Sequence, residues 1–405
     1  MRIGIVTTWF ERGAAYVSRQ FMDVLSKTDE VFIYARGGEK YAVGNPKWDL
    51  PNVHWGKKCL GKRGVLGGTY IDRKDFENWI RKNGIEAVLF NEQHWFQPML
   101  WCKELYVKSL AYVDYYNETT IPLFDVYDGL ICNTKRHAFA FRNHPHANYI
   151  KWGTDTELYK PSEQKNDRLT FFHSAGMAPI RKGTDVLLRS FYEAKNRNNA
   201  LLLLHTQVNL ASFFPEMKSM IEEMKAEGSL EIVEKTITAP GLYYRGDVYV
   251  YPSRLDGIGL TLMEAISSGL AVVTSDNAPM NEFVEPEFGQ TIKIEYEFSR
   301  ADGYYWPMCV PSETSLTGIL EKYINGDYDV ETMKRNAREY AIRELDFNKN
   351  CSVLHDIIAK TEIIKASDKL MKAIGGHDYY AYKAYHKYLS PLYFVFKTIK
   401  NWRSK

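Results

Sequence analysis

No apolar run in this sequence reaches the roughly 18 residues that a membrane-crossing helix needs, so no span is expected. The opening "RIGIVTT" is too short an apolar stretch for a secretory leader. Cysteine is scarce: five residues, Cys59, Cys102, Cys132, Cys309 and Cys351, form neither a CxxC pair nor a disulfide framework. That usage points to a reducing compartment, and the reading is a cytoplasmic protein. Charge excess is also missing. Fifty-two Lys and Arg balance 50 Asp and Glu, a net charge of +2, so nothing global argues for nucleic acid. The ten histidines show no HExxH or other metal-ligand spacing, and no metal is expected. No GxGxxG follows the first strand pattern, which argues against a dinucleotide-dependent oxidoreductase.

What is present is alternation. "RIGIVTT", "EVFIYAR", "EAVLFNE", "SLAYVDYY" and "GLICNT" read as short buried strands, with helical stretches such as "AAYVSRQFMDVL" and "DRKDFENWIRKNG" between them. The pattern breaks at "YIKWGTDTELYKPSEQKND", rich in Gly, Pro and polar residues, and then restarts with "RLTFFHSA", "ALLLLHT", "LEIVEK", "DVYVYPS" and "LAVVTSD". At 405 residues the chain is too long for one core. The expectation is α/β with two Rossmann-like doubly wound domains, residues 1–155 and 156–345, facing across a cleft. Residues 346–405 would add a C-terminal helix, roughly 348–372, returning to the first domain, and a basic aromatic tail.

The densest chemistry lies in "DGIGLTLMEAISSGLAVVTSD", residues 256–276. Asp256 and Glu264 flank a glycine turn that follows one strand and opens a helix. Gly257 and Gly259 let backbone approach a ligand closely. The free amides from Ile258 through Leu260 to Thr261 suit an anion at a helix N-terminus. A ligand with hydroxyls at both ends and phosphate in the middle fits two acids on either side of such a turn. A sugar nucleotide is such a ligand.

"DVYVYPSRLDGIGLTLMEAISSGLAVVTSD" closely resembles the donor-binding segment of GT-B glycosyltransferases, especially the retaining group called family 4. Its usual form is a Glu, seven residues and a second Glu; here Asp256 stands in the first place, one methylene shorter. "YIKWGTDTELYKP" resembles the family's linker, and "MAPIRKGTDVLLRSF" its Lys-Gly turn. The resemblance implies that Lys182 neutralises the donor diphosphate, that Glu264 accepts hydrogen bonds from ribose and that Asp256 accepts them from the transferred sugar. Gly176 stands near the place of a family arginine, for which Arg181 is the substitute. Gly13 would let an N-terminal loop approach the reacting centre. Retention without metal or other cofactor is implied, with a nucleoside-diphosphate sugar as donor and a glycan or lipid-linked acceptor.

In the first domain, Asp114 after "SLAYV" and His94 in "FNEQHW" are the polar candidates for a general base or an acceptor anchor. His173 reads as a strand-end histidine packed in the wall. "DYD" at 327–329 sits in a turn with no strand before it and reads as chance. From 360 to 405 ten Lys and Arg face three acids, with aromatics interleaved. Residues 377–405 therefore read equally as a packed helix or as a membrane-surface contact. A non-catalytic GT-B-like subunit that binds a glycan or protein partner is the rival from a different class.

Overall fold

The computed structural model describes residues 1–36, 41–57 and 69–383. It divides into two compact units: residues 1–133, 137–150 and 351 onward form the N-terminal unit, and residues 134–136 and 151–350 the C-terminal unit.

The N-terminal unit is built on seven parallel strands: β1 (Arg2–Thr7), β2 (Glu30–Ala35), β3 (Val53–Trp55), β4 (Ala87–Asn91), β5 (Lys108–Val113), β6 (Gly129–Cys132) and β7 (Ala147–Tyr149). Their spatial order is β3-β2-β1-β4-β5-β6-β7. The C-terminal unit has β8 (Leu169–Gly176), β9 (Ala200–Thr206), β10 (Leu230–Glu234), β11 (Val248–Tyr251), β12 (Ala271–Ser275) and β13 (Gly289–Ile292). They lie in the order β10-β9-β8-β11-β12-β13. A separate antiparallel ribbon pairs β14 (Ile294–Phe298) with β15 (Met308–Pro311). Both sheets are doubly wound, as the alternation of strand and helix patterns leads one to expect. The winding reverses between β1 and β4 in one sheet and between β8 and β11 in the other. Such switch points open a crevice at the carboxyl ends of the strands, where ligands bind in folds of this kind.

Near-continuous apolar strands are buried on both faces. In the C-terminal unit Leu202, Leu204, Val248 and Val250 pack with Val186, Leu187 and Phe191 of the Thr184–Glu193 helix, all essentially inaccessible. At about 1.5–3 kcal/mol per buried large apolar side chain, this core fixes the helix and the turn that precedes it. Local signals set the helix ends. Asp72, Ser312 and Asp329 each cap a helix by accepting the backbone N–H three residues on. Asp329 belongs to the "DYD" triplet, whose last carboxylate is thereby a helix cap.

The expected helix over 348–372 is interrupted. Helical turns cover Phe347–Lys360, residues 361–367 are not helical, and a helix resumes over Asp368–Lys383. The break has a tertiary cause: buried Asp128 accepts the Ile364 N–H at 2.7 Å, and Lys103 reaches the Ile364 carbonyl oxygen at 2.5 Å. Of the basic aromatic tail, residues 384–405 lie outside the described residues. Among those described, no helix is long and apolar enough to cross a membrane.

Candidate active site

In the C-terminal unit two loops meet at the switch point, one after β8 and one after β11. Gly183 caps the Thr184–Glu193 helix with φ +70°, and a Cβ there would collide with the Pro252 carbonyl oxygen. Only glycine lets the Lys-Gly turn lie against the β11 loop. The two loops are then laced together. The Arg254 N–H donates to the Arg181 carbonyl oxygen at 2.8 Å, and Ser253 Oγ donates to the same oxygen at 3.2 Å. The Arg254 guanidinium grips Asp185 through two hydrogen bonds of 2.7 Å. His173, fully buried, fixes the helix start. Its Nδ1 faces the Val250 carbonyl oxygen at 2.7 Å, which only accepts, so Nδ1 carries the proton. Nε2 then accepts from Thr184 Oγ1 at 2.8 Å. Burial lowers the His173 pKa to about 4, so the ring is neutral.

This frame brings Lys182, Arg181 and Asp256 together. Lys182 Nζ lies 2.6 Å from Asp256 Oδ2, and Arg181 Nη1 lies 3.5 Å from the same oxygen. The Tyr251 hydroxyl donates to Asp256 Oδ2 and accepts from Lys182 Nζ. Asp256 Oδ1 accepts the Gly257 N–H at 2.8 Å. Burial alone would raise the Asp256 carboxyl, but Lys182, Arg181 and the Tyr251 hydroxyl outweigh it and hold the group well below the usual carboxylate range. The Lys182 ammonium is pulled down by burial, with Asp256 opposing.

Beyond this cluster Gly257 is exposed, Ile258 is buried and Gly259 caps the Leu260–Ser267 helix with φ +79°. The first bonds of the helix run from the Leu262 and Met263 N–H groups to the Gly259 carbonyl oxygen, at 3.0 and 3.2 Å, and the amides of Leu260 and Thr261 precede them at the helix N-terminus. Glu264, one turn in, accepts from the Tyr243 hydroxyl at 2.6 Å and also bonds Tyr159, from the linker segment. Burial raises its pKa against both hydroxyls. A cavity of about 480 Å³ opens beside Arg181, with Ile180, Phe213 and Leu255 in its wall.

The N-terminal unit gathers a second group beyond β1, β4 and β5. Gly13, exposed, begins the Gly13–Leu25 helix directly after Arg12, which pairs with Glu92 at 3.1 Å. Glu92 follows β4 in a left-handed conformation, φ +51°, uncommon for a residue with a side chain. Asp114 follows β5, and burial together with the Glu92 charge pushes its pKa up to about 8. His94 packs edge-on against Tyr115, ring centres 5.2 Å apart. Burial, then the guanidiniums of Arg36 and Arg12, lower its pKa to about 4. Gly176, near the family arginine's place, has φ +55°, and a Cβ there would meet nothing within 4 Å. Among the described residues no three His, Cys, Asp or Glu side chains converge as a metal site would require.

Tyr251, Tyr243 and Glu92 were not singled out from the sequence. Tyr251 carried one signal, its place with Tyr249 on one face of a buried strand. Tyr243 carried none. Glu92 directly follows a strand at a switch point.

Residues 168–297, which contain Lys182, Asp256 and Glu264, match the family model Glycosyl transferases group 1. That segment, about a third of the chain, is similar to the family. A curated relative, the lipopolysaccharide core biosynthesis mannosyltransferase LpcC of Rhizobium leguminosarum bv. viciae, is 26% identical over 168 residues. That match spans 39% of this chain and 47% of the relative, so the chain covers about half of that protein's length. Among solved structures, Anabaena HepE in complex with UDP superposes with a TM-score of 0.68 at 14% identity, covering 88% of this chain and 99% of HepE. Sucrose-phosphate synthase of Thermosynechococcus elongatus gives 0.65 at 14% identity, over 89% of this chain and 98% of its own. WaaG, a glycosyltransferase involved in lipopolysaccharide biosynthesis, gives 0.59 at 15%, over 87% and 99%. These likenesses show the fold: the chain has the GT-B architecture.

Proposed function

We propose that the protein is a retaining glycosyltransferase that moves a sugar from a nucleoside diphosphate to a glycan or lipid-linked acceptor, in the synthesis of a cell-surface polysaccharide or glycoconjugate. The observation that carries this is the Lys182–Asp256 pair beside the N-terminus of the Leu260–Ser267 helix. As the bond between the anomeric carbon and the diphosphate lengthens, negative charge grows on the leaving group and positive charge on the sugar ring. Lys182, Arg181 and the amides at Ile258 to Thr261 are placed for the first charge, and the Asp256 carboxylate for the second. Glu264, one helical turn away, is placed for ribose hydroxyls. The acceptor oxygen then bonds the same face of the anomeric carbon, its proton leaving with the diphosphate, without metal or enzymic nucleophile. In the N-terminal unit, Asp114 holds its proton at neutral pH. That suits it to donate to an acceptor oxygen, and not to remove a proton from one.

The mannosyl transfer in the relative's name and the UDP bound by HepE set the first donors to screen. UDP-, GDP- and ADP-sugars are compared by thermal shift, since a ligand that binds only the folded state stabilises by about 2.7 kcal/mol at a hundred times its Kd. One nucleotide class should raise Tm and be hydrolysed or transferred, with activity surviving EDTA and the donor's anomeric configuration kept by NMR. If no sugar nucleotide binds, the reading falls and a non-catalytic partner-binding subunit takes its place. Membrane contact through 377–405 belongs to the same proposal, and salt-sensitive binding to anionic vesicles tests it.

A further inference from the structure

We infer that Tyr251 is a positioning residue of the donor site, whose hydroxyl keeps the Asp256 carboxylate in place when Lys182 turns from it to the donor diphosphate. The inference rests on the reading of this site as a donor site.

Lys182 has three N–H donors, and two are already engaged, on Tyr251 and on Asp256 Oδ2. An arriving diphosphate, with more negative charge than one carboxylate, draws the ammonium toward itself. Arg181, 3.5 Å from the carboxylate and attached also to the Leu255 carbonyl oxygen at 3.0 Å, is drawn the same way. Both cations sit on long flexible stems. Tyr251 does not. It is the last residue of β11, fully buried, and its ring stacks on Tyr249 with centres 5.6 Å apart and planes at 20°. Its carbonyl oxygen accepts from Thr274 Oγ1 at 2.9 Å, on the neighbouring strand.

The tyrosine hydroxyl is therefore the stationary donor on Asp256 Oδ2, and the Gly257 N–H is the stationary donor on Oδ1. Together they fix the carboxylate while its cations move. Tyr251 also stays neutral, because burial first, and then the Asp256 charge, push its pKa well above the ordinary phenol value. It can only donate to the carboxylate, whatever the working pH. Tyr243 supports Glu264 in the same manner from the short helical turn just before β11, so each acid of the site rests on a buried phenol.

The experiment is a double-mutant cycle of Tyr251→Phe and Asp256→Asn, read as turnover of the donor found in the thermal-shift screen and as calorimetric affinity for UDP. Tyr251→Phe should lower kcat about ten- to a hundredfold, the worth of a hydrogen bond to a charged group, while leaving UDP affinity nearly unchanged. The double variant should lose much less than the product of the two single losses, because the share of Tyr251 that runs through the carboxylate is already gone in Asp256→Asn and only its contact with Lys182 remains. Full activity in Tyr251→Phe, or losses that multiply in the double variant, would overturn the inference. If Tyr251→Phe does not fold, 3-fluorotyrosine installed at 251 keeps ring and hydroxyl. A changed kcat at unchanged UDP affinity then supports the role, and an unchanged kcat overturns it. A wild-type protein that binds no UDP and turns over no donor overturns the donor-site reading itself, and is seen before any variant is made.

Discussion

Asp114 and Asp256 are both half-buried aspartates just beyond the carboxyl end of a parallel strand, and they hold opposite charge states. Asp114 is pushed up to about 8 and carries a proton at neutral pH. Asp256 lies well below the usual carboxylate range and is ionised throughout. Burial acts in the same direction on both, so it does not make the difference. The charged neighbours do: the Glu92 charge outweighs that of Arg36 at Asp114, whereas Lys182 and Arg181 act together on Asp256. One chain thus keeps a neutral acid and a fixed anion in its two units, and the two suit different tasks.

The sharpest way to break this contrast is to remove the cation. Lys182→Met should cost about 10²–10³ in turnover, the usual loss when a group aimed at developing charge is deleted. Asp256 should then titrate upward toward the range of Asp114, readable by NMR on labelled aspartate. An unchanged Asp256 titration would show that Lys182 does not set its charge.

His173 extends the contrast to a buried group that stays neutral. Its folded pKa of about 4 lies below the unfolded value of 6.5, so the unfolded chain takes up the proton first. Its contribution to stability is complete above pH 6.5 and lost as pH falls toward 4, by about 3 kcal/mol for a shift of that size. Urea denaturation of wild type and His173→Gln between pH 7 and 4 measures it. The wild-type curve should fall more steeply, and parallel curves would remove His173 from the account.

Within the proposed donor site the two acids should separate. Glu264→Gln should weaken both UDP and intact donor by about ten- to a hundredfold, and Asp256→Asn should depress turnover by a similar factor while sparing UDP. Calorimetry beside turnover distinguishes them, and equal loss of UDP affinity in both variants would cancel the division of roles.

Asp114→Asn should do least. Asn replaces an acid that is already neutral, so turnover at pH 7 should stay within about twofold. Because the raised pKa of Asp114 withdraws stability as pH rises from 3.8 through 8, the variant should be at least as stable at pH 7, with a margin that widens toward pH 8. A large loss of activity at pH 7 would mean that Asp114 works as an anion.

Much of the fold was legible because buried parallel strands are short, apolar and separated by helix-length patterns. "LTFF", "ALLLL" and "VYVY" permit little else once Gly and polar turns bracket them. Lys182 stood out because a glycine follows it, and the structure shows why: Gly183 lies against Pro252, and no side chain fits. Charge state was not legible. Asp114 and Asp256 look alike in sequence, and what separates them is a neighbour distant along the chain. Glu92 precedes Asp114 by 22 residues, and Lys182 precedes Asp256 by 74. Tyr251 was hidden for another reason, since an aromatic in an apolar strand reads as core until its hydroxyl has an address. The helix break at 361–367 was also invisible, because "TEIIKAS" tolerates a helix and only Asp128 and Lys103 draw it away.

The carboxylate of Asp128 has a consequence for how the chain is made. It is buried in the N-terminal unit, where it bonds Ser109 and Lys103, and it also takes the backbone N–H of Ile364. About 200 residues of the other unit, 151–350, are translated in between. At roughly 5–20 residues per second, the first unit waits on the order of 10–40 s on the ribosome for its last segment. The second unit has its whole sequence earlier, so the order in which the two units finish is the reverse of the order in which they begin.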